Sequence, residues 1–318
     1  MKVGLFSCMK NEGPFILEWV AYNLLLGFEK ILVYSNDSID GTTELLDALQ
    51  GQGVLTHIIQ DLQPDQVPQY VAADRAYDHP VLKEMDWLIW LDADEFLFCP
   101  KFHNSIKDLA KYTDTFADGL CINWLNFGDS GVQKWSPGLV TERFTFRGPE
   151  CSSRHVMFKT LFKNSNKVRG FGLHRPFLRA GFNADGRGFV NSTGNAMHDD
   201  IYRSGSYKRH ALGNAPSTLV AHDVAALFHY AVKSRDCFEL KRSRGQGTKP
   251  SNDPGRAARF GEKYWRVYNQ NAVEDARMIE YTAAIRAKMD HLMQDAATAR
   301  AHKECNSRYA DLLRLNHA

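Results

Sequence analysis

The chain has 318 residues, 44% of them hydrophobic and 24% charged, with a formal net charge of +2. That length supports one large core or two modest ones, and so balanced a charge argues against a nucleic-acid binder working through bulk electrostatics. The six cysteines (Cys8, Cys99, Cys121, Cys151, Cys237 and Cys305) form no CxxC pair; this excludes a zinc ribbon and reads as reduced thiols of a cytosolic protein.

Val3–Met9 reads as a first strand, not as the apolar region of a signal peptide. A helix over Phe15–Leu26 follows, apolar all round, with Gly27 as its stop. Strands at Lys30–Ser35 and Val54–Ile59 flank a helix over Glu44–Leu49. A helical stretch over Tyr70–Met85 is broken by Pro80. Trp87–Leu91 is apolar at every position, as a strand covered on both faces of a parallel sheet should be. The βαβαβαβ order predicts an α/β fold with a doubly wound, mostly parallel sheet, whose ligands bind beyond the carboxyl ends of the strands. Further on, Gly119–Asn126, Leu139–Phe146 and Val156–Phe162 read as strands and Val224–Tyr230 as a strand or helix start. Residues 163–218 read as covering loops, and Val273 to Leu315 as helical. Met278, Tyr281, Ile285, Met289 and Leu292 make one amphipathic stripe, expected to pack on the chain's own core.

Polar clusters stand at three of those strand ends: Lys10-Asn11-Glu12, Asn36-Asp37 and Asp92-Ala93-Asp94. The last lies in WLIWLDADEFLF, where carboxylates interrupt an apolar run. Residues two apart in a strand share a side, with Cα atoms about 6–7 Å apart, so Asp92 and Asp94 should project together. Two such carboxylates repel unless a cation lies beside them, and Mg²⁺ or Mn²⁺ is commonly shared between carboxylates and substrate phosphates. Residues 233–266 hold ten Lys or Arg against four Asp or Glu. That basic run suits a diphosphate and could bring the protein against anionic membrane.

The stretches MKNEGPFILEWVAYNLLLGFEKILVYSNDSIDGT, WLDADEFL, NWLNFGDSG, ERF and FHYAVKSRDCFELKRSRG together resemble family 2-type glycosyltransferases of the GT-A fold. The resemblance is to the bacterial branch akin to glycosyltransferase family 92, and it covers residues 1–245. It implies a GT-A domain over 1–245, with a nucleotide-sugar half (1–100) and an acceptor half (101–245), followed by a helical extension over 246–318. It further implies transfer of a sugar, with inversion, from a UDP- or GDP-sugar to a glycan or glycolipid acceptor. The thiols and the basic run lead us to expect this in the cytoplasm or at the inner face of the membrane. Under the resemblance Asp92, Asp94 and His229 hold Mn²⁺ or Mg²⁺. Asn11, Glu12, Asp37 and Asp92 meet the donor, and Lys233, Lys241 and Arg244 meet its diphosphate. Asp40 is expected to cap the next helix.

The base that takes the acceptor proton is not fixed by the sequence; Glu142 and Asp129 are the first candidates, Asp199 and Asp200 later ones. Trp124, Phe127 and Trp135 are expected in the core, with a sugar platform as the alternative. A phosphatase is disfavoured because its acids should follow the first strand. A nucleotidyltransferase stays open, although KNEG lacks a Gly-rich first loop, as does a non-catalytic nucleotide- or carbohydrate-binding protein. No GxGxxG follows a strand, which argues against a dinucleotide oxidoreductase. The oligomeric state is not legible.

Overall fold

Alternating side chains on the central strands enter two different cores. On β1 (Val3–Met9), Leu5 faces one and Phe6 the other; on β2 (Lys30–Ser35), Ile31 and Val33 oppose Leu32 and Tyr34. On β4 (Trp87–Trp90), Trp87 and Ile89 oppose Leu88 and Trp90. Period-two geometry with both faces apolar makes a sheet with layers on either side. The computed structural model describes residues 1–150, 152–198 and 217–316. Asp199 and Asp200 lie outside them.

With β3 (Thr56–Ile59), β5 (Glu95–Phe98), β6 (Gly119–Asn126), β8 (Phe158–Lys163) and β12 (Ala226–His229), the sheet runs β3-β2-β1-β4-β8-β6-β12-β5. A short β11 (Phe189–Asn191) pairs with β6. The pairs β3-β2, β2-β1, β1-β4 and β6-β12 are parallel, while β8 runs antiparallel to both its neighbours and β5 antiparallel to β12. This is the expected GT-A architecture, a parallel half, β3-β2-β1-β4, continued by a mixed half.

Helix α1 (Gly13–Leu26) opens on Pro14, and Gly27 closes it in the left-handed region (φ +87°) with its N–H on Asn23 and Leu24 carbonyls. It is buried almost all round because it lies between the sheet and two late helices, α9 (Thr282–Leu292) and α10 (Ala296–Asn316). Helix α2 (Thr42–Gly51) also packs on α10. Cys305 of α10 lies where Cβ atoms on Gly13 and Gly41 would stand, with Sγ 2.8 and 2.9 Å from those positions. Pro80 splits α3 (Pro68–Asp78) from α4 (Pro80–Lys83), as expected.

The amphipathic stripe begins in a 3₁₀ turn at Met278 and continues on α9, where Ile285 and Leu292 are buried in the main core. Residues 139–146, read as a strand, instead contain a helical turn, α6 (Val140–Arg143). The reason is a buried carboxylate: Glu18 accepts the Val140 N–H at 2.6 Å and the Thr141 N–H at 3.0 Å, holding the backbone in a turn. The short strands β7 (Phe146–Arg147) and β13 (Val273–Glu274) pair with each other. Met278, Ile285, Tyr309 and Leu313, from the segment expected as a helical extension, belong to the same core as β1 and β4. No helix among the described residues is long and apolar enough to cross a membrane.

Candidate active site

The polar strand ends converge on one cleft, about 970 Å³ including the part open to solvent. Register sets its floor: His229 at the end of β12 is level with Asn126 of β6 and Glu95 of β5. The Tyr230 N–H donates to the Asp94 carbonyl at 2.9 Å, fixing the 91–94 turn against the same strand.

The chain leaves β4 at Trp90 and turns, so strand alternation does not extend to Asp92 and Asp94, and the two carboxylates have separate partners. Asp92 accepts the Trp90 Nε1–H at 2.7 Å and pairs with Lys159 Nζ at 2.9 Å. Lys159, on β8 and 1% exposed, also lies 3.6 Å from Glu95. Burial works to lower its ammonium pKa, but Asp92 and Glu95 outweigh burial and raise it. Glu95 accepts from Trp124 Nε1 at 2.7 Å and from the Asp92 N–H at 2.9 Å. Asp94 pairs with Lys241 Nζ at 2.7 Å, on α7 (Arg235–Arg244). Burial alone would push the Asp94 carboxyl up, yet Lys241 foremost holds it well below the usual carboxylate range.

His229 is fixed as a lone-pair donor. The Asn126 amide gives its N–H to the Arg154 carbonyl at 2.9 Å, so its oxygen faces His229 Nδ1, also at 2.9 Å, and requires a hydrogen there. Burial pushes the His229 pKa down to about 3, so the ring is neutral and Nε2 is bare. Trp124 stacks on it with centroids 3.9 Å apart. Nε2 faces Asp94 Oδ1 across 3.8 Å. A lone pair and a carboxylate oxygen thus confront each other without a proton between them. That donor set suits a divalent cation, and an imidazole whose other N–H is held by a carbonyl is the usual support for metal ligation. Among the described residues no three His, Cys, Asp or Glu side chains form a metal cage. A cation here would draw its remaining ligands from substrate oxygens and water, as Mg²⁺ often does.

Of the residues expected to meet the donor, Glu12, Asp92, Lys241 and Arg244 line the cleft, with Lys10 and Asn36 beside them. Arg244 joins Glu12 at 2.5 Å and takes the Lys10 carbonyl. Asp37 does not line it: this exposed side chain pairs with Lys10 and Asn36, which do. Asn11 and Lys233 line a different pocket, because the left-handed backbone at both (φ +52° and +54°) turns the chain there. Asp40 accepts from Gly13 N–H and from Thr42 N–H, tying the starts of α1 and α2 together, in keeping with its expected capping role.

Neither candidate base lines the cleft. Glu142 is exposed and ion-paired with Arg286, and Asp129 is buried in its own turn, accepting from the Gly131 N–H and Asn271 at 3.0 Å each. Phe127 packs between Phe228 and Tyr230, and Trp135 on Tyr309. Residues beyond 245 supply one wall: Gln246, Thr248, Arg256, Arg259, Phe260 and Tyr264. Arg256 and Arg259 make no ion pair with a carboxylate among the described residues. Their only signal in the sequence is the basic run around PGRAARF.

The family model for glycosyltransferase family 92 matches residues 4–177. A Ricinus communis protein described as a glycosyltransferase family 92 protein is 31% identical over 163 residues, 46% of this chain and 27% of that protein. An Arabidopsis thaliana protein of the same description is 28% identical over 148 residues, 43% of this chain and 25% of its own length. The matched region thus spans about a quarter of these curated relatives. Among solved structures, S. aureus TarS 1–349 in complex with UDP-GlcNAc aligns over 99% of this chain and 91% of its own, at 13% identity and a TM-score of 0.38.

Proposed function

The chain belongs to glycosyltransferase family 92, and from that premise we propose that it moves a sugar from a nucleoside-diphosphate-sugar donor to a hydroxyl of a glycan or glycolipid. The observation that carries this reading is the Asp94–His229 pair, lone pair against carboxylate, at the floor of a cleft walled by cations. Mn²⁺ or Mg²⁺ bound by that pair would neutralise the diphosphate as it leaves.

The chain's own residues do the rest. Lys241 holds the Asp94 carboxylate ionised and oriented. Arg244 bridges Glu12 to the turn after β1 and so fixes the cleft's edge. Arg256 and Arg259, without carboxylate partners, are offered to the two phosphates, whose negative charge grows as the glycosidic bond breaks. Asp92, half-exposed beside them, can accept a ribose hydroxyl with its position held by Trp90 and Lys159. The family resemblance implies inversion at the transferred carbon, read from the anomeric configuration of the product.

Thermal shift against UDP-, GDP- and other nucleotide sugars, with and without Mn²⁺, tests the reading. One nucleotide class should stabilise the fold, and only with metal present. Asp94→Asn should keep the fold and lose the metal dependence. If that variant responds to nucleotide and Mn²⁺ as the parent does, the ligand role is wrong. Arg259→Gln should weaken nucleotide binding about tenfold, the size of one lost charge-assisted contact.

A further inference from the structure

Helix α7 has a second pocket on its other flank, about 940 Å³ on the same measure as the cleft. Glu12, Lys241 and Arg244 line both and form the partition, and all three are already engaged with partners. Lys233 is not. It is 5% exposed, and its ammonium lies 4.3 Å from the centroid of the Phe15 ring. Among the described residues it makes no hydrogen bond and no ion pair. Asp94 and Glu18 feel its charge, but Lys241 occupies the first and the α6 amides the second.

A ring face attracts an ammonium without accepting its three N–H bonds, so a buried Lys so placed is costly unless an acceptor arrives. The backbone at Lys233 is itself left-handed (φ +54°), a strained conformation for a residue with a side chain, retained only where its surroundings hold it. Asn11, on the facing turn and also left-handed, spends its amide oxygen on the Ile39 N–H at 2.8 Å, which leaves its NH₂ as a donor toward the same pocket. Apart from Asn316 at the exposed end of α10, the lining side chains left without partners are the Lys233 ammonium and the Asn11 NH₂, both donors. They suit an acceptor-only anion with several oxygens, which describes a phosphate better than a sugar or a cation. The mouth is apolar. Ile39 is 62% and Leu315 73% exposed, with Leu312 and Leu240 completing the wall.

We propose that this second pocket binds a phosphate carried on an aliphatic chain, the phosphate on Lys233 and Asn11 and the chain over Ile39, Leu312 and Leu315. The inference rests on this pocket alone and is independent of the transferase reading. The full chain is titrated with dodecyl phosphate and with inorganic phosphate, and floated with phosphatidylcholine vesicles with or without phosphatidic acid. Dodecyl phosphate should bind, inorganic phosphate at least tenfold more weakly, and Lys233→Met should weaken dodecyl phosphate about tenfold. Leu315→Glu, at an exposed position that leaves the fold intact, should do the same. Added capture by phosphatidic acid vesicles identifies a membrane lipid as the source; binding of the soluble amphiphile without vesicle capture identifies a monomeric ligand. No binding of dodecyl phosphate, equal binding of inorganic phosphate, or parent-like binding by both variants overturns the proposal.

Discussion

Lys159 holds together the acids that the sequence makes conspicuous. Its ammonium is buried between Asp92 and Glu95, and neither carboxylate has another full positive charge within ion-pairing distance among the described residues. Lys159→Met therefore leaves the buried Glu95 and the partly exposed Asp92 without their shared cation and should cost about 3 kcal/mol, read as a drop in the urea midpoint at pH 7. His155 gives a second residue-scale expectation. An imidazole ordinarily titrates near 6.5, whereas burial lowers His155 to about 4. The unfolded chain thus binds the extra proton first, so stability is full above pH 6.5 and falls as pH drops toward 4. His155→Asn should flatten that decline between pH 7 and 5. At this scale much was legible: Asp94 and His229 do meet, and Lys241 and Arg244 do line the cleft. The pairing of Asp92 with Lys159 was not, because it depends on which antiparallel strand lies beside β4, a contact made 67 residues away.

Elements followed their local signals where those signals were self-sufficient. Pro80 divides a helix, Gly27 ends one, and the first four strands stand where the apolar runs put them. The 139–146 segment did not follow, since its turn is imposed by Glu18 from the middle of α1. Apolar alternation there reads as a strand only when that carboxylate is ignored. Glu18→Ala should remove three acceptor contacts at once and destabilise by about 2–3 kcal/mol, measured by thermal or chemical unfolding, with Glu18→Gln intermediate. The wall formed by 246–264 was equally hidden. Its residues are turn-rich and lack periodicity, and only the fold carries Arg256 and Arg259 back over the first strand ends.

For the molecule as a whole, the late helices complete the first layer rather than extend from it. Helix α1 is apolar on every side because α9 and α10 cover the face the sheet does not. Ending the chain after residue 294 would uncover that face and remove Cys305, Tyr309 and Leu313 from the core. The shortened chain should bind a hydrophobic dye and lose near-ultraviolet circular dichroism while keeping much of its helix signal. An intact near-ultraviolet spectrum would show α10 to be dispensable. Three distant positions are meanwhile bound to one volume. Gly13 begins α1, Gly41 precedes α2, and the Cys305 thiol fills the space that side chains on both would need. A methyl gained at 13 must be matched by atoms lost at 305. At 41 even that trade fails, because the backbone there (φ +91°) disfavours any side chain. Among descendants of this sequence, the pair 13 and 305 should drift together in size, while 41 stays fixed.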